Sequence, residues 1–125
     1  MKRFIAVALI VACSFLFPVS VSGGDNSPVK MRVTCYLPTG NPTASGVMPF
    51  KGGCAAKRDW MGCAAVLYTL DGEYIGVWDI NDTGGHDRIK SGKSVDLFMP
   101  TMEEAKEWIR EYGDYLLVQI IPAEG

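Results

Sequence analysis

The chain has 125 residues, enough for one domain, and at 48% hydrophobic and 21% charged it has an ordinary globular composition. Its formal net charge is −2. That balance excludes a partner held mainly through phosphates, since nucleic-acid binding needs a net basic face.

Met1-Lys2-Arg3 followed by the apolar run Phe4 to Phe17 has the basic start and apolar middle of an export signal. Ser20-Val21-Ser22-Gly23 then offers small residues for cleavage, which predicts a signal peptide over 1–23 and a product that is secreted or associated with the cell envelope. The run is short and is broken by Pro18, so no membrane span is expected in the mature form. Ile10-Val11-Ala12-Cys13 also offers a lipobox, in which Cys13 would carry a lipid anchor. Loss of Lys2 and Arg3 leaves 10 basic residues against 14 acidic ones, a mature net charge of −4.

Gly23 to Pro28 reads Gly-Gly-Asp-Asn-Ser-Pro, small and turn-forming, which predicts a flexible leader over 24–29 and a folded domain over 30–122. Short β-prone runs then follow at Lys30 to Tyr36, Gly53 to Ala56, Ala64 to Leu70, Tyr74 to Asn81, Ser94 to Met99 and Tyr115 to Ile121. Asp71-Gly72 is a hairpin signal, because both residues tolerate positive φ. Between the last two runs, Thr101 stands three residues before Glu104 as a capping box. Met102, Ala105, Trp108, Ile109 and Tyr112 recur at helical spacing, and Gly113 stands where the helix would stop. The expected fold is mainly β, a small six-stranded closed barrel with one α-helix packed on it.

Cys35, Cys54 and Cys63 remain after the export signal. An oxidising compartment predicts one disulfide and one free thiol, with Cys54–Cys63 the first choice because it closes the shortest loop. The three lack the close paired spacing of a metal site, and the only histidine is His86, so neither a metal nor a cofactor is expected.

Asn81-Asp82-Thr83-Gly84-Gly85 places a carboxylate at a strand end in a glycine-rich turn. Ser94-Val95-Asp96-Leu97-Phe98 places a second inside the next strand, where an aspartate is out of keeping with β propensity unless it serves a cleft or faces solvent. Two carboxylates in one cleft are the minimum equipment for cleaving a glycosidic bond. The departing sugar oxygen needs a proton, yet an ordinary aspartate, with a pKa near 3.9, is protonated in only about 0.1% of molecules at pH 7. Burial, and a second carboxylate nearby, would raise that value, with Asp82 as tuner and Asp96 as acid. Asp82 also reads simply as a turn former bonded to its own backbone.

Thr34-Cys35-Tyr36, Thr43-Ala44-Ser45-Gly46, Ala55-Ala56-Lys57-Arg58-Asp59, Asp82-Thr83-Gly84-Gly85 and Val95-Asp96-Leu97-Phe98 stand in the order of the three-aspartate (3D) domain. The chain resembles that family over roughly Met31 to Ile121. The family is a double-psi β-barrel found in lytic transglycosylases such as membrane-bound lytic transglycosylase A, and it is similar to rare lipoprotein A, expansins and family 45 endoglucanases. The resemblance implies a double-psi barrel whose three aspartates are Asp59, Asp82 and Asp96, with Asp96 at the position of the catalytic acid. The segment from Gly85 to Val95 is longer than the family's, His86-Asp87-Arg88 supplying the extra length. A lytic transglycosylase can use the 6-hydroxyl of N-acetylmuramic acid as nucleophile, so one aspartate can act as acid and then base.

Thr34, Tyr36, Thr43, Ser45, Thr83, Gly84 and Gly85 are the candidate substrate-binding residues. Thr43 and Ser45 also read as turn residues, and Tyr36 and Trp60 as half-buried barrel aromatics. His86 reads as a solvated loop residue and Trp108 as core. The expected partner is the glycan strand of peptidoglycan, met by a monomer. The expected activity is lytic transglycosylation; the alternative is an expansin-like module that binds polysaccharide without turnover. A family 45 cellulase is disfavoured, because no aspartate closely follows Thr34-Cys35-Tyr36.

Overall fold

The computed structural model describes residues 27–122. The expected signal peptide, Cys13 and residues 24–26 of the expected leader lie outside the described residues. Six strands form: β1 (Val29–Tyr36), β2 (Gly53–Ala55), β3 (Ala64–Tyr68), β4 (Tyr74–Asp82), β5 (Ser94–Phe98) and β6 (Tyr115–Ile121). Every β-prone run becomes a strand, and β1 begins one residue before the expected domain start.

The strands close into a barrel in the order β1-β5-β2-β4-β3-β6. Pairs β1/β5 and β2/β4 are parallel and the other four neighbouring pairs are antiparallel. This mixed, closed arrangement is consistent with a double-psi barrel. Closure leaves no sheet edge to pair with another chain. Strand alternation sends Val33, Cys54, Leu67, Ile80, Val95, Leu97, Leu116 and Val118 inward, and these are the largest side chains that are almost fully buried.

Two α-helices accompany the barrel among the described residues. A single turn, α1 (Asp87–Lys90), was not legible from periodicity because it is shorter than the pattern that would betray it; α2 (Met102–Tyr112) is the expected helix. Thr101 Oγ1 accepts a 3.1 Å hydrogen bond from the Glu104 N–H, as a cap should. The Glu104 carboxylate is shared, one oxygen meeting the Thr101 hydroxyl at 3.5 Å and the other Lys51 Nζ at 2.7 Å. Ala105, Trp108 and Tyr112 pack on the barrel. Met102 and Ile109 fall to one side of that narrow stripe and are exposed.

The β3/β4 hairpin differs from the expected Asp-Gly turn. Gly72 N–H donates to Thr69 O at 2.8 Å, and Thr69 N–H donates to Glu73 O at 2.8 Å. Only Gly72 takes a left-handed φ (94°), while Asp71 does not. The loop is therefore three residues, a right-handed turn closed by a glycine, whose twist also suits the flanking strands.

The expected disulfide is absent: Cys35, Cys54 and Cys63 are all free thiols. The barrel register explains this. Cys35 and Cys54 both pair with Leu97, one from each side. Cys54 pairs with Ile80, whose N–H donates to Cys63 O from the opposite side at 3.0 Å. Each neighbouring pair of cysteines thus spans two strand spacings, about 9.5 Å, beyond the roughly 7 Å Cα separation a disulfide can bridge. Burial, aided by the charge of Asp96, pushes the Cys35 thiol up to about 11; burial, aided by Asp79 and Asp96, pushes Cys54 up to about 12. Mass mapping without reductant is expected to find no bridge among the three. A maleimide at pH 8 is expected to leave Cys54 unmodified until denaturant is added, and rapid labelling of native Cys54 would contradict the buried placement.

Candidate functional site

One row of the barrel's outer face carries the two carboxylates. Thr34 of β1 pairs with Asp96 of β5, Asp96 pairs with Ala55 of β2, and Ala55 pairs with Asp82 of β4. Asp96 and Asp82 therefore flank a single small residue, with backbones about 9.5 Å apart.

A β-bulge makes this row possible. Cys54 pairs with Ile80 but Ala55 pairs with Asp82, so Asn81 is the extra residue. In an unbroken strand Asp82 would share the inward face of Ile80, which is 1% exposed; the bulge turns it outward to stand beside Ala55. The Asn81 side chain lies over Gly53, where an added Cβ would come within 2.6 Å of Asn81 Nδ2. Both polar atoms of that amide are enclosed without a hydrogen-bond partner.

The two carboxylates are held differently. Asp82 Oδ1 accepts from the Ala44 and Thr83 N–H groups, both at 2.9 Å, and Asp82 Oδ2 accepts from the Tyr36 hydroxyl at 3.4 Å. Asp96 Oδ1 accepts from Thr34 Oγ1 at 2.8 Å. Burial raises Asp96 above the ordinary carboxylate value of 3.8, the Thr34 bond opposes it, the charge of Asp82 adds to it, and His86 opposes it. The Tyr36 hydroxyl is raised by burial first, then by its proximity to Asp82.

Thr34→Val removes a hydrogen bond that favours the ionised form, so the Asp96 pKa is expected to rise further. A carboxyl titration followed by NMR would read this, and an unchanged or lowered midpoint would contradict the assigned contact.

Among the other expected residues, Thr43 is buried, and its hydroxyl donates to Val47 O at 2.8 Å while meeting Ser45 Oγ at 2.8 Å. Both hydroxyls are thus engaged within their own turn, and that turn contributes the Ala44 N–H instead. Thr83 supplies its backbone N–H to Asp82. Gly84 and Gly85 need no special backbone, and an added Cβ would meet only Ile89 at 3.7 Å from Gly84 and nothing within 4 Å from Gly85. Asp59 does not join the pair: it sits on a short 3-10 turn, Arg58–Trp60, its side chain 75% exposed and 3.8 Å from Lys57 Nζ.

Sequence reasoning set aside His86, yet it lies near enough to Asp96 to oppose the rise of that carboxyl's pKa. His86 caps α1, its Nδ1 accepting from the Arg88 N–H at 3.2 Å. Its position directly after Asp82-Thr83-Gly84-Gly85 was the available signal. Among the described residues, no group of three or more His, Cys, Asp or Glu side chains could hold a metal ion, and no helix is long and apolar enough to cross a membrane.

Compared with known proteins, the chain matches no family model, no curated protein and no solved structure.

Proposed function

We propose that the chain is an exported 3D-type domain that cleaves peptidoglycan glycan strands as a lytic transglycosylase, with Asp96 as general acid and then base. The observation that carries this reading is Asp96 itself, a carboxyl whose proton affinity is raised by burial, one small residue away from a second carboxylate. Thr34 occupies Oδ1, which leaves Oδ2 to carry the proton.

In the proposed step, Asp96 gives that proton to the glycosidic oxygen as the C1–O bond breaks. The muramic 6-hydroxyl then bonds to C1 and returns its proton to Asp96, so the acid is regenerated and a 1,6-anhydro product leaves. Asp82 suits a tuning role, held beside Asp96 by the Ala44 and Thr83 N–H groups and the Tyr36 hydroxyl.

Purified peptidoglycan incubated with the protein is expected to release anhydro-muropeptides, identified by mass spectrometry. Binding to sacculi with no soluble product would instead favour the expansin-like module.

A further inference from the structure

A groove lies between α2 and β4, with a volume of about 440 Å³, within the range of small-ligand sites. Trp78, Trp108 and Tyr112 line it together as one contiguous aromatic surface. The Trp78 and Trp108 rings meet edge to face at 5.4 Å, and Trp108 lies 4.4 Å from Tyr112. The Trp108 indole nitrogen is enclosed, so the groove offers ring surface and not that donor. Gly76 lines the groove beside Trp78; a Cβ there would strike the Trp78 ring at 3.1 Å. Glu107 and Glu111 stand on the α2 side, and Lys51, paired with Glu104, closes the rim.

The groove and the aspartate row share strand β5, although no residue of the row lines the groove. Phe98, which lines it, stands two residues after Asp96 on β5, on the same face and about 6.6 Å further along. Tyr36 pairs with Phe98, their rings 5.4 Å apart, and reaches Asp82 with its hydroxyl.

We propose that this groove holds an N-acetylglucosamine unit of the same glycan strand that is cut at Asp96. The proposal rests on the glycan reading above. Aromatic faces take the C–H face of a pyranose ring and the acetamido methyl, and carboxylates accept from its hydroxyls. The acidic rim disfavours the neighbouring muramic unit, whose lactyl group adds a carboxylate or a peptide stem, and Lys51 disfavours a simple cation.

The test is titration of the purified protein with the N-acetylglucosamine tetramer, following the tryptophan indole N–H signals by NMR. Saturable shifts at Trp78 and Trp108 are expected. Val77 lines the groove and is 51% exposed, so Val77→Arg is tolerated by the fold while obstructing the site. It is expected to weaken binding about tenfold or more, with Glu107→Gln weakening it less.

Absence of indole shifts with the sugar, shifts unaffected by Val77→Arg, or shifts with tetramethylammonium equal to those with the sugar would each overturn the assignment. Turnover of sacculi is scored separately. Anhydro product without groove binding sinks this inference alone, whereas groove binding without product sinks the proposed cleavage and leaves the sugar site standing.

Discussion

Asp96→Asn is expected to lower release of anhydro-muropeptides by roughly 10²- to 10⁴-fold, the usual contribution of a positioned proton donor. The same change is expected to stabilise the fold at neutral pH by about 1 kcal/mol, as often follows when a buried functional carboxyl is removed. The sign comes from the raised folded-state value. Protonated Asp96 is well tolerated, so its contribution is full below the unfolded value of 3.8 and is lost as pH rises through the folded value. The advantage of Asn should therefore vanish in acid and grow toward neutrality. Thermal melts across pH would read it, and a variant that loses stability at pH 7 while gaining in acid would refute the environment assigned to this residue. Wild-type turnover should fall as pH rises through the same value, because the working form is the acid.

Leu97→Ala is expected to cost about 3–5 kcal/mol, because a large side chain is removed from a site with no room for solvent. Leu97 is 0% exposed and pairs with Cys35 on one side and Cys54 on the other, so it sits where three strands meet. Denaturant unfolding monitored by tryptophan fluorescence would measure the loss. Val29→Ala, at a site 54% exposed, is the control, expected within about 0.5 kcal/mol of wild type. A Leu97→Ala protein as stable as that control would mean the barrel interior is not packed as described.

Much of the architecture could be read from residue order. Val33, Val95, Leu97, Leu116 and Val118 alternate with less buried neighbours, and Thr101, Glu104 and Gly113 bracket α2 at the expected positions. Local signals of this kind need only a few adjacent residues. Pairing does not work that way: nothing in Lys30 to Tyr36 announces a parallel neighbour more than 60 residues later. The disulfide expectation failed for that reason, since loop length counts residues along the chain and the obstacle was a strand lying between the thiols.

The candidate site shows the same division. Asp82 and Asp96 were identifiable because each is out of place locally, one in a glycine turn and one in an apolar strand. Ala55 and the Ala44 N–H were invisible, because an alanine between two carboxylates is meaningful only once β2 lies between β4 and β5. Asp59 looked equivalent to the other two by order alone, and its exposed ion pair with Lys57 leaves it outside the pair. The bulge at Asn81 left no sequence signature, yet without it Asp82 would face the core.

The bond from Thr34 to Asp96 joins positions 62 residues apart. A chain still extended holds an ordinary carboxylic acid at position 96, with water on every side. Only when the two ends of the polypeptide have met and the last strands have docked does that group acquire its altered affinity for a proton. Topologies built on such distant partners fold slowly, in milliseconds to seconds. The proposed chemistry would be armed only by completion of the fold.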